Sequence, residues 1–188
     1  MKTQSVRDQL IEHTLVLIRR RGFNGFSYRD LAALVGVKTS SIHYYFPTKE
    51  DLALEAVKQY SARIAEEMRG IDESWPAAER ARAYLKAWHV GFGSDQICLC
   101  NMLATETACL PESIHAVLKD FYRYHEGWLT TLLEQAKAEG VCQLPVDADV
   151  FAKTIFGALQ SGVVAARLFQ GPERLDAACA TLMAAVSR

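Results

Sequence analysis

The sequence has no long apolar stretch and no recognisable secretion leader. No run approaches the roughly 18 consecutive apolar residues that a membrane-spanning helix requires. The N-terminus, MKTQSVRDQL, lacks the apolar core of a signal peptide. We therefore expect a cytoplasmic protein whose five cysteines are mostly reduced. An odd number of cysteines also argues against a framework made only of structural disulfides.

Sequence signatures of catalysis are missing as well. The chain has no nucleophile elbow, no Walker phosphate-binding loop and no glycine fingerprint for a dinucleotide. His125-Glu126 begins like the helix of a zinc protease, but Leu129 stands where the second histidine is required. We therefore expect a protein that is not an enzyme and that uses no cofactor.

Three classes of protein are compatible with the features described so far: a small enzyme, a metal sensor and a structural or interaction protein. A small enzyme could pair Cys98 or Cys109 with His89 or His125 as nucleophile and base. A metal sensor could use the pair Cys98-x-Cys100 with Cys109 or His89, although this spacing lacks the C-x2-C signature of structural zinc. We expect no metal site. The third rival is a helical bundle with a structural or protein-interaction role.

The alternating pattern of a half-buried strand is absent, and apolar residues recur at helical spacing instead. The fold is therefore predicted to be all-α, with about nine helices in total. We place them at 4–21, 27–36, 39–46, 48–69, 77–92, 95–109, 111–139, 147–169 and 172–186.

Charge is nearly balanced overall but unevenly distributed. Residues 1–50 hold eight basic and four acidic side chains, a net charge of +4. The remaining residues hold 13 basic and 18 acidic side chains, a net charge of −5. A basic N-terminal unit followed by an acidic one fits a DNA-binding head on a body that does not bind DNA, although chance asymmetry is also compatible.

The stretch from Ser27 to Leu52 predicts two short helices joined by a tight turn. Ser27 with Asp30 three residues later is a helix N-cap with an acidic third position. Gly36 is placed to end this helix in the left-handed conformation. The next helix ends at Pro47, after which Thr48 is expected to cap the fourth helix.

The second of these short helices has an unusual composition for a solvated surface. It carries neither Lys nor Glu between residues 39 and 46, and is rich in hydroxyl groups. Ile42 and Phe46, four residues apart, can face a core, and we expect Tyr45 to pack there too. Small hydroxyls and aromatic hydroxyls suit phosphate oxygens and base edges in a major groove.

The run VGVKTSSIHYYFPTKEDL resembles the helix-turn-helix of the tetracycline-repressor-like (TetR) transcriptional regulators. The residues that match the family pattern are Gly36, Ile42, Tyr45, Phe46, Thr48, Lys49, Glu50 and Leu52. GFNGFSYRDLA, upstream of this run, also matches, and the likeness extends over residues 7–55. It implies a ligand-responsive repressor that binds a palindromic, double-stranded DNA operator as a homodimer.

The resemblance also implies which residues contact DNA. Thr39, Ser40 and Ser41 are the candidates for base edges, and His43 and Tyr44 for phosphates or a thymine methyl group. Tyr28, Arg29, Lys38 and Lys49 complete the predicted set, with Lys49 on a phosphate. The chain departs from the commoner family pattern in having Thr39-Ser40 for Lys-Gly and His43 for Tyr.

The resemblance further implies a helix-turn-helix DNA-binding domain over residues 1–50. Residues 51–188 would bind a small-molecule effector and dimerise through the last two helices, which are rich in small residues. Internal packing within one chain would explain those small residues equally well. Either an effector pocket or an ordinary aromatic core explains a set of largely apolar side chains: Trp88, Phe92, Cys98, Met102, Phe121, Tyr122, His125, Trp128, Phe156 and Gln160.

The cysteine-rich run ICLCNMLATETACLP resembles a segment found in one subgroup of these regulators. Some members of that subgroup sense electrophiles or small unsaturated acids, and Cys98 and Glu106 fall on the matching cysteine and glutamate. A thiol-based electrophile, redox or metal sensor within the same scaffold is therefore the alternative to a ligand-responsive repressor. Buried structural cysteines would explain the same run.

Overall fold

The computed structural model describes residues 4–89 and 95–187. Within these residues the chain is helical and contains no strand, which confirms the predicted all-α class. The helices are α1 (Val6–Arg21), α2 (Tyr28–Val35), α3 (Thr39–Tyr45), α4 (Lys49–Arg69), α5 (Ala77–His89), α6 (Leu99–Ala104), α7 (Glu112–Ala138), α8 (Ala148–Phe169) and α9 (Glu173–Val186). A short 3₁₀ helix, Thr107–Cys109, lies between α6 and α7.

The chain divides into two compact units. The first unit combines Met1–Arg63 with Ile97–Asp120, and the second combines Ile64–Gln96 with Phe121–Arg188. The domain boundary expected at residue 50 stays a prediction. Among the described helices, none is both long enough and apolar enough to cross a membrane.

Side-chain caps and glycines set the ends of the helices in the first unit. The Ser27 hydroxyl accepts the Asp30 N–H, and the Asp30 carboxylate accepts the Ser27 N–H at 2.7 Å, so the predicted capping box is present. Gly36 ends α2 with φ of 75°, a left-handed conformation that glycine adopts without a steric penalty. Thr48 and Asp51 make the corresponding pair at the start of α4.

The first unit packs around a small apolar core between its short helices. Leu10, Ile18, Leu31, Ile42 and Leu52 are all fully buried. Burial of these side chains, at roughly 1.5–3 kcal/mol each relative to exposure, is the main stabilising term.

Two apolar residues of the helix-turn-helix do not join that core. The side chain of Leu34 is 52% exposed, because it lies about 60° round the helix from Leu31 at the rim of the buried face. Tyr45 is 39% exposed, so the expectation that it packs in the core is wrong. In the same helix Ile42 and Phe46, one turn apart, take the buried positions.

The single helix predicted over residues 95–109 is also wrong, since two shorter segments occupy this stretch. Asp95 has φ of 56°, which is incompatible with an α-helical start, and α6 begins only at Leu99. At the other end the Thr105 hydroxyl donates to the Met102 carbonyl and closes the helix. The chain then continues as the 3₁₀ helix, which leaves the Glu106 side chain outside α6.

The second unit is built from α5, the C-terminal part of α7, and α8 and α9. α8 and α9 pack closely, and a Cβ atom added at Gly162 would lie 3.0 Å from the Leu175 Cα atom. The opposite face of α8 carries exposed apolar side chains, among them Val164 and Leu168, the latter 75% exposed. On α9 the alanines at 177, 180 and 184, which recur on one face of the helix, are also exposed.

Candidate nucleic-acid interface and ligand site

Helix α3 presents a polar surface because its two apolar residues face inward. Ile42 and Phe46 are buried, whereas Thr39, Ser40 and His43 are exposed, and Ser41 is half-buried. The side chain of Tyr44 is 81% exposed. Arg29 on α2 and Lys38 at the N-cap of α3 are exposed as well. Six of the nine residues predicted to contact DNA are therefore exposed to solvent: Arg29, Lys38, Thr39, Ser40, His43 and Tyr44.

Tyr28 fixes the turn that follows α3. Its hydroxyl lies 2.9 Å from the Phe46 carbonyl oxygen and 2.5 Å from that of Thr48, and donates to this pair. Burial raises the pKa of the phenol, and the carboxylates of Asp51 and Glu50 raise it further, so the hydroxyl keeps its proton. Tyr28 thus ties the first turn of α2 to the start of α4.

Lys49 fixes the segment before α2. Its Nζ group donates to the Phe26 carbonyl oxygen at 2.5 Å and lies 4.5 Å and 4.3 Å from the ring centroids of Phe23 and Phe26. Partial burial lowers the pKa of the ammonium group, and the Glu106 carboxylate opposes that effect. An ammonium group has three N–H donors, so two remain for a phosphate. The phosphate contact of Lys49 stays a prediction.

His43 is oriented by its own helix end. Its Nδ1 atom lies 3.2 Å from the Pro47 carbonyl oxygen, and its ring packs edge-on against Tyr28 at 4.9 Å between centroids. A carbonyl only accepts, so Nδ1 carries the proton of this bond. With Nδ1 as the donor, the Nδ1-protonated tautomer presents Nε2 as a hydrogen-bond acceptor, which suits an amino group on a base edge better than a phosphate oxygen.

Glu106 was not among the predicted site residues, yet it holds the α1–α2 turn, which we define as residues 22–26. The carboxylate accepts the Phe23 N–H at 2.5 Å and lies 3.5 Å from the Asn24 N–H. Gly22 allows this approach, since a Cβ atom there would lie 2.7 Å from Glu106 Oε1. The match of Glu106 to a glutamate of the regulator subgroup was the one sequence signal that pointed to it.

A second connection lies beside the Glu106 contact. The Ile97 N–H donates to the Arg19 carbonyl at 3.2 Å, and Arg19 Nε donates to the Ile97 carbonyl at 3.0 Å. Residues 97–106 therefore hold both the last turn of α1 and the turn that follows it.

The residues predicted to line an effector pocket fall into three groups. Phe92 lies outside the described residues. Cys98 and Met102 belong to the first unit. The second unit contains the rest of the set: Trp88, Phe121, Tyr122, His125, Trp128, Phe156 and Gln160.

The ring-bearing side chains among these second-unit residues form one aromatic cluster, and Tyr84, which was not among the predicted site residues, joins it. His125 stacks on Phe156 at 4.7 Å and lies 4.5 Å from Phe121, centroid to centroid. Tyr84 stacks on Trp128 at 4.8 Å, and its hydroxyl lies 2.9 Å from His125 Nδ1. Burial lowers the pKa of His125 to about 3, so the ring is neutral.

Cys100, Cys142 and Cys179 lie in environments that raise the thiol pKa and so disfavour the thiolate. Burial raises the pKa of the Cys100 thiol well above its usual range, and it raises that of Cys179 to about 11. Among residues 4–89 and 95–187, no group of three or more His, Cys, Asp or Glu side chains is arranged to hold a metal ion. The metal-sensor interpretation therefore finds no support in this part of the chain.

Two family models match this chain in succession. The model for bacterial regulatory proteins of the tetR family matches residues 10–56, the segment that contains the helix-turn-helix. The model for the tetracyclin repressor-like C-terminal domain matches residues 77–182, more than half of the chain.

A curated relative and two solved structures agree with these models. The biofilm operon icaADBC negative transcriptional regulator IcaR of Staphylococcus aureus is 28% identical over 53 residues. That match covers only 28% of this chain and 28% of the relative. A tetR-family transcriptional regulator from Agrobacterium tumefaciens superposes with a TM-score of 0.91 at 28% identity, over 98% of this chain and 99% of that one. A TetR transcriptional regulator from Legionella pneumophila gives 0.87 at 27% identity, over 97% of both chains.

The resemblance found in the helix-turn-helix is thereby confirmed and extends beyond it. Both the polar face of α3 and the aromatic cluster lie within the segments that the two family models cover. The chain belongs to the tetR family of bacterial regulatory proteins.

Proposed function

We propose that this protein is a repressor that binds a palindromic operator as a homodimer and leaves it when a small molecule binds. In this proposal residues 1–50 bind DNA, and residues 51–188 bind the effector and dimerise. The protein performs no catalytic step.

The observation that carries the proposal is the polar face of α3. A short helix packed by Ile42 and Phe46 leaves Thr39, Ser40 and Tyr44 to the outside. This exposed face carries hydroxyl groups instead of Lys and Glu, and hydroxyl groups can bond to base edges and phosphates. Thr39, Ser40 and Ser41 then read bases, while Tyr44 and Lys49 contact the backbone.

The outer face of α8 and α9 supports a homodimer. Apolar Val164 and Leu168 and a row of exposed alanines would otherwise face water, and their small size lets two helix pairs approach closely. A two-fold dimer carries two copies of α3, which can read two half-sites one helical turn apart. An effector that binds more tightly to a conformation in which the two α3 helices do not match the half-site spacing would increase the population of that conformation. The protein would then leave the DNA.

The test is a mobility-shift titration of the purified protein on the DNA upstream of its own coding region. It is run at two salt concentrations with excess competitor DNA. Saturable binding that weakens with salt but survives the competitor supports the proposal. Binding that the competitor abolishes at both salt concentrations contradicts binding to this operator.

The thiol-sensor alternative rests on Cys98 alone and is weaker. Cys98 caps the short helix α6 and is partly exposed, but its thiol bonds to the buried Tyr60 hydroxyl and the Cys100 thiol, and neither is a cation. A reactive thiolate needs a positive neighbour or a substantial helix dipole. Alkylation of the native protein by iodoacetamide at neutral pH tests it: rapid, selective labelling of Cys98 would revive the alternative.

A further inference from the structure

The imidazole of His125 is buried in the second unit with one of its two nitrogens unused. The residue is 4% exposed. Nδ1 is bonded to the Tyr84 hydroxyl, but Nε2 has no hydrogen-bond partner. A buried polar atom without a partner costs roughly 1–3 kcal/mol, and native proteins seldom leave one.

The surroundings of the His125 ring are aromatic. Phe156 stacks on the ring and Phe121 is tilted against it, while Tyr84 and Trp88 lie at 5.8 Å and 6.3 Å between centroids. Burial is the sole cause of the low pKa of His125, so no neighbouring carboxylate or ammonium acts on it. Trp88 and Tyr122 at the margin of the cluster are only half-buried, which leaves that margin accessible.

These features restrict the chemistry of a partner for Nε2. A carboxylate or an ammonium at Nε2 would be buried against a neutral ring. The buried guanidinium of Arg80 lies over Trp128, 5.4 Å from its ring centroid, and does not act on the pKa of His125. The partner must therefore be neutral, and its body must be apolar to fit among the rings. A hydroxyl group both donates and accepts, so it can satisfy Nε2 whichever ring nitrogen carries the proton.

We propose that the second unit binds a neutral aromatic molecule carrying a hydroxyl group, and that this hydroxyl bonds to His125 Nε2. The inference rests on the proposed function in one respect only, namely that this molecule is the effector. Tyr84 acts as a positioning residue, because its bond to Nδ1 fixes the ring and points Nε2 at the ligand.

The experiment compares two probes of nearly equal shape. 4-Ethylphenol carries the hydroxyl and ethylbenzene lacks it, and the affinity of each is measured by calorimetry and by quenching of tryptophan fluorescence. We expect 4-ethylphenol to bind about tenfold more tightly, the factor that one hydrogen bond typically contributes. Equal affinities, or no binding of either probe, would overturn the proposal.

The variant His125→Phe keeps a flat apolar ring and removes the nitrogen. It should lose the preference for 4-ethylphenol over ethylbenzene, whatever its absolute affinity for ethylbenzene. A preference that persists in the variant would place the hydroxyl elsewhere and overturn the proposal.

A measurement on the unaltered protein tests the proposal even if the His125→Phe variant does not fold. The Nε2 resonance of His125 in long-range ¹H–¹⁵N spectra should move when 4-ethylphenol is added and stay in place with ethylbenzene. An unmoved resonance would mean that a trapped water serves Nε2, and the proposal would fall.

The mobility-shift titration is run in parallel so that two kinds of failure can be told apart. A protein that shifts its operator but does not distinguish the probes keeps the proposed function and loses this inference. A protein that prefers 4-ethylphenol but binds no DNA keeps the ligand site and loses the proposed function.

Discussion

At the scale of single residues, two side chains that we expect near DNA also stabilise the N-terminal DNA-binding segment, residues 1–50, which we call the head. The Tyr28 hydroxyl serves the turn after α3, and the Lys49 ammonium serves the segment before α2. Both polar tips donate to backbone carbonyl groups of these turns, of which the Thr48 carbonyl also accepts the Leu52 N–H. A substitution at either position therefore changes the stability of the head as well as its contacts with DNA.

Lys49→Ala is predicted to show both effects. Loss of the bond to Phe26 and of the contacts with two aromatic rings should lower the free energy of unfolding by roughly 1–3 kcal/mol. Loss of a phosphate contact should reduce the slope of log affinity against log salt concentration by about one.

Lys38→Ala is the matched control for Lys49→Ala. Lys38 is exposed at the N-cap of α3 and makes no side-chain cap bond, so we expect a change in salt slope without a change in stability. Urea denaturation and binding titrations at several salt concentrations measure the two quantities. An unchanged salt slope in Lys49→Ala would refute the phosphate contact.

His125 makes the stability of the protein depend on pH in a defined direction. Its pKa of about 3 in the folded protein lies below the value of roughly 6.5 expected in the unfolded chain. As the pH falls the unfolded chain binds the proton first, so stability is full above about pH 6.5 and declines toward pH 3. The contribution of His125 can change the free energy of unfolding by about 1.4 kcal/mol per pH unit. His125→Phe should remove this contribution. Parallel stability curves for the two proteins between pH 7 and pH 4 would contradict the prediction.

At the scale of helices, local sequence signals predicted most boundaries well. The Ser27–Asp30 capping box, Gly36 and Thr48–Asp51 set the ends of their helices through contacts within a few residues. The segment 95–109 was predicted as one helix because its break depends on distant contacts. Ile97 pairs with Arg19, and Glu106 serves the amide of Phe23, which no pattern of local spacing reveals.

The candidate site shows the same division between local and distant contacts. The polar face of α3 is visible in the sequence because helical periodicity separates Ile42 and Phe46 from the hydroxyl-bearing residues. The bond of Tyr84 to His125 joins residues 41 positions apart, so the sequence could select His125 but not its partner.

Gly22→Ala is predicted to destabilise the α1–α2 turn by more than the backbone strain of a positive φ alone would. Gly36 has φ of 75° and ψ of 32°, the left-handed helical region, where an alanine costs about 1–2 kcal/mol in backbone strain. Gly22 has φ of 79° and ψ of 175°, a region essentially restricted to glycine, so the backbone strain of an alanine is larger there. Only at Gly22 would the new Cβ atom also meet Glu106, at 2.7 Å, and displace a carboxylate that bonds to the Phe23 N–H.

Gly36→Ala supplies the comparison, since nothing lies within 4 Å of its added Cβ atom. Thermal unfolding of both variants measures the difference, which we attribute to the Glu106 contact together with the glycine-specific backbone conformation of Gly22. Equal destabilisation in the two variants would contradict both contributions.

At the scale of the whole molecule, charge and apolar surface are found on different parts of the chain. The N-terminal 50 residues carry a net charge of +4 and the remainder −5, which suits attraction of DNA to the head alone. The exposed apolar face of α8 and α9 suits association with a second copy. Together they favour a dimer that presents two basic heads.

Val164→Asp is predicted to weaken that dimer, because two carboxylates would be buried near the two-fold axis without partners. Val146→Asp is the control, since Val146 is similarly exposed but precedes α8. Light scattering coupled to size-exclusion chromatography should show a monomer for the first variant and a dimer for the second. A dimer in both would place the interface elsewhere.

Selection of binding sequences from a random library of double-stranded DNA tests the central claim most directly. A dimer that reads DNA through α3 should enrich an inverted repeat whose half-site centres lie about 10 base pairs apart. Repetition with Thr39→Ala should change the preferred base at one symmetrical pair of positions and leave the spacing intact. No enriched sequence, or an asymmetric one that Thr39→Ala leaves unchanged, would contradict the account.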